Sequence, residues 1–112
     1  MPQKIDFEKL FVYQAELYGR AIYDGNSRIA NRSHKKINEL IKMTGVKAKE
    51  RILSSLCGHP SESVRLWAAS FLFSQNECLA ISTIEAIINS NSILGLVAEV
   101  TLDKWRSGNL NG

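Results

Sequence analysis

Few residues of this sequence are of a type and spacing that could bind a metal or carry catalysis. Cys57 and His59 are separated by one residue, and Cys78 follows further along the chain. Thiolate and imidazole groups bind zinc, but a single Cys-x-His pair lacks the paired ligand spacing of zinc modules. We therefore interpret both cysteines as small buried apolar residues in the reduced state, and we expect neither a metal site nor a cofactor.

Enzymatic activity is not indicated either. His34 and His59 are far apart along the chain, and neither a G-x-S-x-G nor an H-E-x-x-H motif occurs. The glycines form no cluster of the kind that cradles phosphates. The sequence therefore predicts a protein that acts by binding rather than by catalysis.

The strongest charge feature is a basic segment. Residues 28–51 hold eight Lys and Arg against two Glu, a local charge of +6, whereas the whole chain carries +3. On helical geometry, five of these residues form a ridge along one helix, here called the basic ridge: Arg28, Arg32, Lys35, Lys36 and Lys42. Such a ridge is either a solvated face or a surface for phosphates or an acidic protein.

The elements that position these groups are helices. Apolar residues recur at helical spacing throughout, which predicts an all-α fold of about six helices in three antiparallel hairpins. The first helix should begin near Asp6 and stop before Gly25, the second should run from an Asn26 cap to Gly45, and the third should cover about 47–57. The predicted buried stripe of the first helix is Phe7, Leu10, Phe11, Gln14, Leu17, Tyr18 and Ala21.

Proline and capping residues delimit the second half of the chain. Pro60 cannot continue the third helix, and Ser61 is placed to cap the fourth. Asn76 and Ser92 are placed to cap the fifth and sixth helices, and Gly108 ends the last one. The 112 residues therefore form a single domain, 1–112.

Targeting signals are not evident. The N-terminal stretch MPQKIDFEKL contains no apolar run of the signal-peptide kind. The longest apolar run, LWAASFLF, is far shorter than the roughly 20 residues that a membrane-spanning helix needs. We expect a cytoplasmic protein with no membrane association, monomeric in the absence of a partner.

A weak internal repeat relates the fourth and sixth helices with an offset of 30 residues. The paired positions are Val64, Leu66, Ala68 and Leu72 with Leu94, Leu96, Ala98 and Leu102. Repeated helix pairs bury their apolar faces by stacking, so the fourth helix, in the middle hairpin, should be apolar on several sides.

The pattern P-x-x-x-V-R-x-x-A-A-x-x-L, from Pro60 to Leu72, resembles the second half of a HEAT repeat. The resemblance covers roughly 46–105 as two hairpins, and it implies a right-handed stack in which Arg65 bonds exposed carbonyls or an acidic group of the next unit. Two features depart from the pattern: the offset of 30 is short, and Gly95 stands where Arg65 would recur.

The whole chain also resembles a family of small bacterial HEAT-like proteins, some of which lie beside polymorphic toxin genes. The stretches AIYDGNSRIANR, CGHPSESVRLWAASFL and LDKW carry this resemblance. It implies a protein-binding module, and an immunity protein that covers the active site of a cognate toxin is the specific expectation. It implies no catalytic residues.

Two surfaces are candidates for such a role. The first lies on the fourth and sixth helices, where Leu66 and Phe73 would anchor a partner beside the carboxylates of Glu62, Glu99 and Asp103, which would suit a basic toxin such as a nuclease. Leu66 and Phe73 could instead pack against the neighbouring hairpin. The second surface is the basic ridge, and its alternative function is binding of a nucleic-acid backbone.

Overall fold

The computed structural model describes residues 6–108, which form six α-helices and no β-strand. The predicted all-α class is therefore confirmed. Residues 1–5 and 109–112, including the first half of the segment in which we expected no signal peptide, lie outside the described residues. The helices are α1 Phe7–Tyr23, α2 Ser27–Thr44, α3 Glu50–Leu56, α4 Glu62–Ser70, α5 Glu77–Asn89 and α6 Ile93–Arg106, with a 3-10 turn Lys47–Lys49 before α3.

Side-chain caps start three helices at the predicted residues. The side-chain oxygens of Asn26, Asn76 and Ser92 each accept a hydrogen bond from the backbone N–H three residues later, at 3.1, 3.2 and 3.3 Å. Ser61 occupies the predicted cap position of α4, but its side chain makes no capping bond. Its backbone N–H donates instead to His59 Nδ1 at 3.0 Å.

Two glycines end the helices of the first hairpin. Gly25 follows α1 with φ +69°, and Gly45 follows α2 with φ +82°. Both values lie in the left-handed region, which glycine adopts without steric cost. Helices α1 and α2 therefore end where predicted, at glycines whose backbone conformation other residues adopt only with strain.

Helix α4 is the centre of the molecule. It packs against α1, α3, α5 and α6, while α1 pairs with α2 and α5 pairs with α6. The expectation that α4 is apolar on several sides is confirmed, because its buried residues surround the helix axis: Ser63, Val64, Leu66, Trp67, Ala68 and Ala69. Helix α1 also contacts α6, so the first hairpin touches the third. In a linear repeat stack each unit contacts only its neighbours, and the HEAT-like, right-handed stack stays a prediction.

Small residues set the distance between α1 and α4. A Cβ atom at Gly19 would lie 2.6 Å from the Ser63 Cβ, and Ser63 Oγ donates a hydrogen bond to the Ala15 carbonyl. The buried face of α1 therefore follows Ala15 and Gly19. The placement of Leu10 in the buried stripe was wrong, since Leu10 is 41% exposed. Helix α4 contacts α1 at Ala15 and Gly19, and it does not cover Leu10.

The last hairpin closes in the same way. A Cβ atom at Gly95 would lie 3.2 Å from the Ile87 carbonyl oxygen, so the glycine that replaces the repeat's arginine lets α6 approach the backbone of α5. At the other end, Trp105 Nε1 donates to Glu77 Oε2 at 2.7 Å. These two contacts hold α6 against α5 along its length.

Candidate protein-binding face

The two predicted apolar anchors are not on the surface. Leu66 is 3% exposed and Phe73 is 1% exposed, so their prediction as partner-binding residues was wrong. The Phe73 ring stacks on the Trp105 ring of α6 with 5.1 Å between centroids. The alternative interpretation, packing against the neighbouring hairpin, is the one that the structure supports.

Glu62 lies at the start of α4 and is half-buried. One carboxylate oxygen accepts from Ser90 Oγ at 2.7 Å, and the other accepts from Ser92 Oγ. Both oxygens are therefore engaged in joining α4 to the turn between α5 and α6. We predicted that this carboxylate would face a partner. In the structure it is instead hydrogen-bonded within the fold.

Glu99 and Asp103 are exposed and lie one turn apart on α6. Neither forms an ion pair within residues 6–108. Beside them the outward side of α6 is apolar: Ile93, Leu96 and Val100 are 41%, 65% and 53% exposed. We call these three residues the α6 stripe.

The α6 stripe is a feature that the sequence analysis missed. Leu94, Ala98 and Leu102 point inward, and they account for the packing of α6 on the rest of the molecule. The stripe lies on the opposite side, at spacings of three and four residues. Two apolar stripes on one helix indicate that the helix packs against apolar surfaces on two sides.

A groove of about 330 Å³ runs beside the stripe, between α2, α4 and α6. Tyr18, Trp67 and Phe71 supply aromatic surface, and the Tyr18 and Trp67 rings meet edge to face with 5.2 Å between centroids. The Trp67 Nε1 atom is buried without a hydrogen-bond partner. Burial also raises the pKa of the Tyr18 hydroxyl above its ordinary value.

Polar residues from two helices line the edges of this groove. His34 and Asn38 come from α2, and Thr101 and Lys104 come from α6. The His34 ring meets the Trp67 ring edge to face with 5.2 Å between centroids. The fold thus brings together residues far apart in sequence, a juxtaposition that no local pattern indicated.

The basic ridge lies on the exposed side of α2, as predicted, and none of its five side chains forms an ion pair with a described residue. Lys36 also lines a shallow depression with Leu10 and Met43 between α1 and α2. Lys49, from the same basic segment, lies over the Phe7 ring at 5.1 Å from its centroid. The ridge is therefore free to contact an anionic surface, while Lys49 contributes to the fold.

The residues considered for metal binding are not assembled into a site. Cys57 is buried, and burial raises the pKa of its thiol, an effect opposed by a hydrogen bond with Thr83. Cys78 is exposed, which corrects the expectation that both thiols are buried. Across the described part of the chain, no group of three or more His, Cys, Asp or Glu residues could hold a metal ion.

Arg65 forms hydrogen bonds to backbone carbonyls. Its Nη1 atom donates to the carbonyl oxygens of His59 and Pro60, at 2.8 and 3.0 Å. The guanidinium therefore fixes the turn between α3 and α4. Its partners lie in the turn before its own helix, and no contact with the next unit is involved.

No protein-family model, curated protein or solved structure matches this chain. Within residues 6–108, every helix is too short or too polar to cross a membrane. A functional hypothesis for this protein therefore starts from its own surfaces: the α6 stripe with its carboxylates, the groove and the basic ridge.

Proposed function

We propose that this chain is a protein-binding module whose principal contact surface is the α6 stripe with Glu99 and Asp103. One observation carries the proposal: Leu96, the repeat equivalent of the buried Leu66, is 65% exposed. Contiguous exposed apolar side chains flanked by polar groups are typical of protein interaction sites. In such sites a few apolar anchors supply most of the binding energy.

The charges beside the stripe favour a basic partner. Glu99 and Asp103 are exposed carboxylates without an ion-pair partner among the described residues. Complementary charges across an interface speed association and select the partner. A nuclease has a basic substrate groove, so a nuclease domain would match an acidic edge of this kind.

The specific form of the proposal is immunity. The sequence resembles a family of small HEAT-like proteins of unknown function, some of which lie beside toxin genes, and an acidic, apolar face suits steric coverage of a toxin's active site. In this proposal the protein resides in the cytoplasm as a monomer until it binds the cognate toxin. Sedimentation at several concentrations measures the oligomeric state, and a concentration-dependent dimer contradicts this part.

The test uses a purified candidate toxin domain and calorimetric titration. Leu96→Arg should weaken binding about thirtyfold or more, because it replaces a central anchor with a charge. Tyr13→Arg is the matched control, since Tyr13 is an exposed aromatic residue on α1, away from α6. Equal affinities of the wild type and Leu96→Arg would exclude the α6 stripe as the interface.

A second candidate function is binding of a nucleic-acid backbone by the basic ridge. Five exposed basic side chains that form no ion pair with residues 6–108 support it, while Glu39 on the same helix reduces the local charge. Phosphate contacts make affinity fall steeply with salt. Fluorescence anisotropy with a labelled DNA duplex at increasing salt tests this candidate, and Lys35→Glu should reduce the salt dependence.

A further inference from the structure

We propose that the groove between α2, α4 and α6 binds an acidic segment of a partner protein and receives a large apolar side chain flanked by carboxylates. This inference rests on the proposed protein-binding role, and it assigns a second region of the partner surface. The occupant differs from the basic surface proposed for the α6 stripe, because the two sides of α6 carry opposite charges.

The interior of the groove suits an apolar side chain. Its volume of about 330 Å³ lies at the lower end of the roughly 300–1,000 Å³ that ligand pockets occupy. Trp67 and Phe71 provide aromatic walls, and Val97 and Val100 provide aliphatic walls. An apolar side chain of the partner would bury surface against all four.

The rim of the groove suits carboxylates. Lys104 is exposed and is the one lysine or arginine among the described residues that line the groove. Lys35 and Lys42 of the basic ridge lie one turn on either side of the groove-lining Asn38. Lys104 thus places one ammonium group on the rim, and the α2 residues one turn from Asn38 add two lysines on the same side of that helix.

The acidic groups of α6 lie away from this rim. Around the helix axis, Glu99 and Asp103 flank the α6 stripe on the side of Leu96, whereas Val97 and Lys104 flank it on the groove side. Among residues 6–108, no carboxylate lines the groove. Charge complementarity therefore favours an acidic segment over a basic one at this position.

Stacked nucleobases fit the groove less well. Single-stranded nucleic acids bind aromatic side chains through exposed ring faces. The Trp67 residue is 9% exposed, one face of its ring stacks on Phe71 at 6.0 Å, and Tyr18 and His34 meet it edge to face. At 9% exposure the indole offers little surface to a stacked base, whereas a peptide side chain can enter the open groove beside it.

The experiment is an NMR titration of the ¹⁵N-labelled full chain with two matched peptides, acetyl-Glu-Phe-Glu-amide and acetyl-Lys-Phe-Lys-amide. Trp105→Phe assigns the indole N–H signal of Trp67. The acidic peptide should give saturable shifts at Trp67, Val97 and Thr101, and the basic peptide should bind at least about fivefold more weakly. Equal affinities of the two peptides, or shifts confined to other regions, would overturn the proposal.

Matched variants separate the groove from the general positive charge of the protein. Lys104→Gln should lower the affinity for the acidic peptide about threefold or more. Lys36→Gln removes the same charge from the other side of α2 and should leave this affinity unchanged. Thr101→Trp should block the groove. Equal effects of Lys104→Gln and Lys36→Gln would mean that peptide affinity depends only on the net charge of the protein, which contradicts specific binding in the groove.

Two further arms identify the source of any failure. Leu96→Arg should leave the peptide affinity unchanged, so loss of toxin binding with intact peptide binding refutes the α6 stripe alone. Absence of groove shifts at millimolar peptide, with intact toxin binding, refutes the groove alone. Stronger shifts of the same signals by the oligonucleotide (dT)10 than by the acidic peptide would replace the peptide assignment with single-stranded nucleic acid.

Discussion

Leu66 of α4 and Leu96 of α6 occupy equivalent positions thirty residues apart, yet they are 3% and 65% exposed. Helix α6 lies against α4 and covers Leu66. The corresponding side of α6 has no helix on it within residues 6–108. An apolar side of α6 is therefore left uncovered by the described residues, and this difference connects the fold with the proposed interface.

The same substitution at these two leucines should change stability by very different amounts. Leu66→Ala should lower the free energy of unfolding by about 2–5 kcal/mol, because it leaves a cavity in the core. Leu96→Ala should change it by less than about 0.5 kcal/mol, since most of its side chain already contacts solvent. Urea unfolding followed by circular dichroism measures both. Similar losses at the two positions would contradict the described packing.

A charge at the centre of α4 should prevent folding. Ala68 is fully buried where α4 meets its neighbours, so Ala68→Glu places a carboxylate among apolar side chains with no partner. Ala86→Glu is the matched control, because Ala86 is exposed on α5. Circular dichroism should show a helical spectrum for Ala86→Glu and its loss for Ala68→Glu. A stable, folded Ala68→Glu protein would mean that the helix register is wrong.

The contact between α1 and α4 should tolerate no larger side chain at Gly19. Gly19→Val should lower the free energy of unfolding by about 1–3 kcal/mol or more, because its Cβ atom would overlap the Cβ of Ser63. Arg20→Val introduces the same residue at the next, exposed position and should cost less than about 1 kcal/mol. Thermal unfolding of both variants compares them directly.

The sequence predicts the helices well where their signals are local. An Asn26 or Asn76 cap needs only the N–H group three residues later, and the positive φ of Gly45 is a property of one residue. These features fix where helices start and stop without reference to the rest of the chain. Ser61 shows the limit of such signals, because it occupies the cap position of α4 but its side chain makes no capping bond.

The sequence predicts surfaces less well, because exposure depends on which helices lie next to each other. From the sequence, Leu66 and Phe73 lie on a different side from the main buried stripe of α4. Only the position of α6 shows that they are covered. The groove has the same origin, since His34 and Trp67 meet across α2 and α4. Periodicity along the chain contains no information on these distances.

The two thiols should differ in reactivity. Burial raises the pKa of Cys57, so less of its reactive thiolate is present at a given pH, whereas Cys78 is exposed to reagent. Iodoacetamide at pH 8 should therefore modify Cys78 first, as followed by mass spectrometry. In Cys78→Ser the remaining thiol should react slowly until urea unfolds the chain. Fast modification of Cys57 in the folded protein would contradict its burial.

Charge reversal should distinguish the two charged surfaces in the proposed complex with a toxin. Glu99→Lys with Asp103→Lys should weaken a basic toxin's complex by about 2–5 kcal/mol for each desolvated pair lost, mainly through faster dissociation. Lys35→Glu with Lys36→Glu should change mostly the association rate, because charges at the edge of an interface act on encounter. Both double variants are titrated calorimetrically against the purified toxin domain after circular dichroism has shown that they are folded. A larger loss from Lys35 and Lys36 would place the interface on the basic ridge and exclude the acidic side of α6.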